Sequence, residues 1–358
     1  MKHSFKRIIF AANILSLRMN HQLINDQYLR LAYAIRKSTD NFYHHLPEQD
    51  EAEGMIRKVI TDAALYNNWF IAGHMIHALA LLADDLEMLA AMEIPDTVPD
   101  KKVAVLHRTD APVEGIAEIL LMAKAGYHIL VKPSNELMHL DRDIFSLVGL
   151  LTGLSEQITI TENNIKGANA VISFTELGDT LKDYLGKYPA SQLYQKGASL
   201  LIDGNESSDQ LNKIAEMTCM YYGRAQQNIR VLFVPEDYDT DLLTPAFKQY
   251  ADHLNHNRYF NNYEYRKSAM IINHIQYVEN GPLLLTEQQS QAGFISVLCI
   301  QRYKNKEDII HNKLLHLYPL SEQKGTGNSR PGLMLTNFNR NAGRLIEFMG
   351  MLNNTVLT

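Results

Sequence analysis

Apolar positions recur at helical spacing through the first quarter of the chain. Tyr28, Leu31, Ala32 and Ile35 share one helix face, as do Met55, Ile56, Val59 and Ile60. Asn67-Asn68-Trp69-Phe70 breaks the run, and Ile76, Leu79, Leu82, Leu86 and Leu89 predict a further helix before Pro95 and Pro99. The pattern then changes. Lys102 to His107 reads as a buried strand, Glu114 to Ala125 as a helix, and Tyr127 to Lys132 as a second strand. Ala168 to Ser173 is another short strand, and the alternation predicts a parallel, nucleotide-type α/β sheet. Further on, Ile214, Met217, Met220 and Tyr221 form a helical pattern that stops at Gly223, and an apolar run begins at Ile229. Helix, tight turn and strand at this point are expected to present backbone N–H groups and one exposed side chain at a sheet edge. Asn280-Gly281 before Leu283-Leu284-Leu285 predicts a hairpin, and Phe294 to Ile300 a buried strand containing Cys299 as core packing.

Length and composition narrow the class. A chain of 358 residues suits two domains or one bilobal unit. Hydrophobic content of 46% and charged content of 21% are those of a globular protein. A formal net charge of −6 argues against a general nucleic-acid binder. Two cysteines provide neither a disulfide framework nor a zinc quartet, which points to a reducing cytoplasm. Lys2, Lys6 and Arg7 precede an apolar run to Leu17 that mimics a short signal peptide. Asn13 interrupts that run, which is too short to span a bilayer and lacks a small-residue cleavage site, so residues 1–18 read as an extension, with targeting as the alternative. No other segment approaches membrane-spanning length.

Three local motifs invite a metal reading and lose it on ligand count. Asp84-Asp85-Leu86-Glu87 lacks the second acidic cluster of a prenyl-transfer site and is expected to be a solvated helix face. His74 with His77, and His253 with His256, could each set two imidazoles on one helix face, but neither pair has a third ligand in view. No metal site is expected.

The stretch Tyr222-Gly223-Arg224-Ala225-Gln226-Gln227-Asn228, followed by a strand ending in Val234-Pro235, resembles the nucleophile turn of the bacterial fatty acyl-CoA reductases. Those are aldehyde dehydrogenase-like enzymes known from bioluminescence pathways. Asn257 to Lys267, with Tyr259, Asn261, Asn262, Tyr263 and Tyr265, resembles a second motif of the same family. The likeness runs from about Asn68 to Met349. It implies an aldehyde dehydrogenase-like fold of two Rossmann-like α/β lobes behind an N-terminal helical region. The implied domains are residues 1–99 (helical), 100–222 (cofactor type), 223–335 (catalytic type) and 336–358 (a returning C-terminal segment).

The same resemblance assigns candidate site residues. Gln226 stands where the family has its catalytic cysteine, and Asn228 keeps the family's asparagine. Asp110, in the turn Thr109-Asp110-Ala111-Pro112, takes the place of the asparagine that helps hold the thioester oxygen. An ionised aspartate offers only acceptors there, and losing one such donor costs about 2.7–4 kcal/mol of barrier lowering. Lys132 and Ser134, in Lys132-Pro133-Ser134, match the segment that meets the adenosine ribose or 2′-phosphate of NADPH. A surface lysine at a strand end is the alternative reading. Ser173 and Thr175 fall in the loop that approaches the cofactor, although Phe174 and Glu176 suit a phosphate poorly. The tail departs most: Pro331 to Thr336 and Asn339 to Gly343 replace the family's glutamine- and aspartate-rich segments, and Gly325-Thr326-Gly327 reads as a mobile loop.

Reductase chemistry of that kind needs a thiolate, and glutamine's amide can neither attack nor leave. Cys219 lies seven residues earlier, about 10.5 Å of helix rise, and reads as a packed helix thiol. The leading expectation is a binding or partner protein with conventional reductase chemistry lost, retaining an acyl-CoA, acyl-thioester or nucleotide pocket. It would work beside a protein partner, as a homo-oligomer, or next to another acyl-processing enzyme. The rival is an active NADPH-dependent acyl-CoA reductase with a displaced nucleophile or direct hydride transfer. An acyl-transferring or hydrolysing enzyme is a third reading, with no nucleophile to name.

Overall fold

The computed structural model describes residues 2–94, 101–163, 165–193, 197–311, 317–319 and 338–354. The chain divides into two compact units, one of residues 1–193 with 337–358, the other of residues 194–336. The boundary expected at residue 222 therefore falls inside the second unit.

The first unit begins with α1 (Lys2–Tyr43), α2 (Glu51–Tyr66) and α3 (Ala72–Ala91). Helix α1 runs unbroken through the stretch read as an extension. Asp50 caps α2, its side chain accepting from the Glu53 N–H, and Asn67 closes it in extended backbone. Tyr28, Leu31, Ala32 and Ile35 are all buried, as their spacing predicts, and the Tyr28 hydroxyl donates to the Leu120 carbonyl at 2.8 Å. The acidic run expected to be a solvated face is exposed at Glu87 but not at Asp84 or Asp85. Asp84 and Glu87 both pair with Arg36 of α1, Glu87 at 2.9 Å, and Asp85 between them is buried.

Five strands follow in the same unit: β1 (Lys102–His107), α4 (Ile116–Lys124), β2 (His128–Pro133), α5 (Met138–Thr152), β3 (Ile158–Ile160), β4 (Ala170–Ser173), α6 (Asp179–Leu185) and β5 (Ala190–Gln192). The sheet order is β3-β2-β1-β4-β5, parallel throughout. Helices cover such sheets on both faces, so Val103, Ala104 and Val105 are all buried and the strand carries no alternation. Every residue of α4 is buried, including Glu118 and Lys124. The Lys124 ammonium donates to the carbonyls of Leu89 at 2.6 Å and Met92 at 2.8 Å, closing the C-terminus of α3. Burial pushes that ammonium down to about 8.

The second unit holds β6 (Ala198–Leu201), α7 (Ser208–Cys219), β7 (Ile229–Pro235), α8 (Thr244–Lys248), α9 (Asn257–Ile272), β8 (Val278–Asn280), β9 (Leu283–Thr286), β10 (Val297–Tyr303), α10 (Lys306–His311) and β11 (Leu317–Pro319). Its sheet order is β11-β6-β7-β10-β9-β8. Among the described strands of this unit only the β8–β9 pair is antiparallel, across the predicted Asn280-Gly281 turn, where Gly281 has φ 59°. Cys299 on β10 is fully buried beside Val231 and Phe233, as core packing requires. Ser207 and Gln210 form a reciprocal capping box at the start of α7. Helix α11 (Phe338–Asn354) belongs to the first unit, where the Asn341 amide donates to Glu118 Oε1 at 2.7 Å. Pro95, Pro99 and the tail segments 325–327 and 331–336 lie outside the described residues.

Candidate functional site

The turn that carries Gln226 is more contorted than a helix-to-strand junction requires. Helix α7 ends at Cys219, and Tyr221, Tyr222 and Gly223 then adopt left-handed backbone in succession, with φ of 56°, 59° and 66°. Left-handed backbone costs a bulky L-residue about 1–2 kcal/mol. Strained residues persist only where their surroundings over-determine them. Here Asn228 supplies one restraint: its buried amide donates to the carbonyls of Met217 at 2.8 Å and Met220 at 3.2 Å. Packing supplies another. The Tyr222 ring sits 4.7 Å from His253, 4.5 Å from His256 and 5.6 Å from Tyr259, centroid to centroid.

The pair His253 and His256 does not share a helix face. His253 lies in a short 3₁₀ turn, and His256 is the N-cap of α9, its ring accepting from the Tyr259 N–H. Burial, reinforced by His256 and opposed by Asp252, pushes His253 down to about 4, so it is neutral near pH 7. Burial raises the Tyr222 hydroxyl to about 12. The cluster is an aromatic anchor for the strained turn. Its signal in the sequence was the run from Asn257 to Lys267 that contains Tyr259, but nothing local tied Tyr259 to Tyr222.

The expected exposed side chain at the turn is not there. Gln226 and Gln227 are buried and Asn228 has no exposed surface. Cys219 is 1% exposed, and burial raises its thiol well above the ordinary cysteine value. A thiol so placed stays protonated and inert.

The remaining candidates belong to the first unit. Lys132 and Ser173 lie on the two strands flanking β1, both opposite Leu106, which brings them to one carboxyl edge. Ser134 joins them through its N–H, which donates to the His107 carbonyl at 2.9 Å. Lys132 is half-buried, with no carboxylate in ion-pair reach among the described residues. Asp110 is exposed on the loop after β1, where Thr109 Oγ1 donates to the Ala111 carbonyl at 3.0 Å. Ser173 turns inward: its hydroxyl donates to the Thr175 carbonyl at 3.0 Å and accepts the Thr175 N–H at 3.3 Å.

At the same edge lies a buried pair that the sequence did not announce. His107 Nδ1 is 2.6 Å from Asp141 Oδ2, and Nε2 is 2.7 Å from the Glu114 carbonyl. Both side chains are 2% exposed or less. Burial lowers the imidazole's proton affinity, but the Asp141 carboxylate and the Glu114 carbonyl outweigh it, and His107 is raised above its ordinary value. An imidazolium donating from both nitrogens satisfies this geometry.

A cavity of about 770 Å³ opens on the second unit's sheet, lined by His274, Tyr277, Leu285, Glu287, Ile300 and Arg302 among others. It lies toward the carboxyl ends of β9 and β10, whereas the Gln226 turn precedes the amino end of the parallel β7. A seven-residue strand, on the order of 20 Å, separates the two. Among the described residues no group of three or more His, Cys, Asp or Glu side chains is gathered as metal ligands. No helix among them is long and apolar enough to cross a membrane.

No protein-family model matches the sequence, and no curated protein matches it. Solved structures do match the fold. An oxidoreductase from Marinobacter aquaeolei superposes with a TM-score of 0.58 at 11% identity, over 82% of this chain and 70% of its own. An acetylating aldehyde dehydrogenase from Geobacillus thermoglucosidasius gives 0.51 at 13% identity, over 84% and 78%. An aldehyde dehydrogenase from Pseudomonas syringae, solved with NAD+ and octanal, gives 0.53 at 13% identity, over 81% and 68%. Two parallel-sheet units, the helix-turn-strand before β7 and these superpositions together define an α/β chain with the aldehyde dehydrogenase fold.

Proposed function

We propose that this chain is a divergent relative of the bacterial acyl-CoA reductases in which conventional thioester reduction has been lost. It acts instead as an acyl-thioester- or nucleotide-binding protein, or as the partner of an acyl-processing enzyme. The observation that supports this reading is the turn before β7: Gln226, which the resemblance sets in the nucleophile's place, is enclosed, and the nearby Cys219 is buried with a raised thiol. Losing a covalent nucleophile lowers turnover by about a thousand-fold or far more. The exposed carboxylate of Asp110, where a donor would be needed, supports the same conclusion. The octanal held by the Pseudomonas syringae enzyme supports an alkyl-chain ligand class for this fold.

One observation favours the rival, an active NADPH-dependent acyl-CoA reductase. Lys132 stands at the carboxyl end of β2 with no carboxylate in ion-pair reach among the described residues, and a neighbour from Streptococcus pyogenes was solved with NADP+. The proposal and a rival with a displaced nucleophile differ in whether an acyl group is ever transferred to the protein. Intact-mass measurement after incubation with a long-chain acyl-CoA tests this. The proposal expects no acyl adduct and no release of free coenzyme A. An adduct that maps to Cys219, or to any other side chain, contradicts it.

A further inference from the structure

The order β3-β2-β1-β4-β5 reverses between β1 and β4. In open parallel sheets a nucleotide occupies the crevice outside the carboxyl ends of the two strands at such a reversal. In this chain His107 ends β1, Ser173 ends β4, and Phe174 follows directly. The Phe174 N–H donates to the Leu106 carbonyl at 3.0 Å, which holds the residue at that point. Its ring is 2% exposed and stands edge-on to the His107 imidazole at 5.6 Å.

The third wall is Gly115, the residue that opens α4, with φ +90°. A Cβ built there would lie 2.9 Å from Phe174 Cε1 and 3.1 Å from His107 Nε2. Ring, imidazole and glycine backbone are thus in contact, with no space for even a methyl group. A pyrophosphate at such a reversal lies against the loops that follow its two strands, and Phe174 stands at the start of the loop after β4. In α4 the Glu118 carboxyl already accepts from the N–H of its own residue and from Asn341. His107 cannot swing aside without breaking its bonds to Asp141 and to the Glu114 carbonyl.

We infer that Phe174 closes the crevice between β1 and β4 to a dinucleotide, so that the first unit, though built as a nucleotide-binding sheet, excludes the pyrophosphate of NADPH there. The inference rests on the proposed function for its choice of ligand, but it stands on a different residue and is read by binding, not by turnover. A finding of acyl transfer would sink the proposed function and leave this inference in place; NADPH binding to the native crevice would do the reverse.

The test is NADPH titration of the full chain, followed by fluorescence and calorimetry, for the native protein and for Phe174→Ala and Phe174→Leu. The native protein is expected to show no saturation up to about 1 mM NADPH, and Phe174→Ala to bind at least about tenfold more tightly than that limit. Phe174→Leu, which keeps the site apolar but shortens it, should fall between them. Saturable binding by the native protein that neither substitution changes would overturn the inference, as would variants that fold and still fail to bind. If neither variant folds, hydrogen exchange of the native chain decides. Protection of residues 104–118 and 170–178 that is unchanged by NADPH is the expected result, and new protection there overturns it.

Discussion

Tyr221 and Tyr222 hold left-handed backbone that few bulky residues adopt, and the side chain most directly responsible is six or seven positions further on. Asn228 donates to two carbonyls of the preceding helix end, so removing it frees the kink to relax. Asn228→Ala is expected to lower stability by about 1–3 kcal/mol in urea unfolding. Asn228→Asp should cost more than Asn228→Ala, because it buries a carboxylate against carbonyl oxygens. Equal midpoints for the two variants would show that the amide is not the restraint. Glycine offers a second comparison. Gly54 in α2 has nothing within 4 Å of an added Cβ, so Gly54→Ala is expected to stabilise by roughly 0.5–1 kcal/mol. Gly115→Ala, blocked by Phe174 and set at φ +90°, should destabilise by more than that. The same unfolding series reads both.

Among the elements, the His107–Asp141 link between β1 and α5 carries a pH signature. The imidazole's proton affinity is raised in the folded state, so the folded chain binds more protons than the unfolded chain above the ordinary histidine value of 6.5. The stabilisation is therefore complete below 6.5 and is lost as pH rises through the raised folded value. Native protein should lose stability across that window, and His107→Gln should lose this slope while costing about 3–5 kcal/mol at low pH. A native pH profile matching that of His107→Gln would contradict the assignment. This pair also marks where sequence reading stopped. Strands β1, β2 and β7 were legible because strands buried on both faces read as apolar runs, Val103 to Val105 and Val231 to Val234 among them. Asp141 was not, since it lies 34 residues from His107 and on a helix, α5, with no motif to flag it. The end of α7 was misread for a related reason. Helical spacing continued to Tyr221, and only tertiary restraints through Asn228 and the His253–His256 cluster turn the backbone over.

At the scale of the whole molecule, each of the two units of this aldehyde dehydrogenase fold carries one of the residues on which the proposal turns. The second unit places Gln226 in an enclosed, strained turn, with Cys219 buried at the end of the helix before it. The first unit keeps Lys132 at the sheet edge but fills the neighbouring crevice with Phe174. Strand positions and the turn were readable from apolar runs and from Tyr222, Gly223 and Asn228. The closure of the crevice was foreshadowed only by the bulk of Phe174, because its contacts with Gly115 and His107 come from three separate segments. The most direct measurement is aldehyde formation, detected alongside NADPH oxidation, with folded protein and acyl-CoA substrates from short to long chain. The account predicts no aldehyde above the no-protein control at any chain length. Sustained aldehyde production that follows enzyme concentration would contradict it, and its loss or survival in Cys219→Ala would then locate the chemistry.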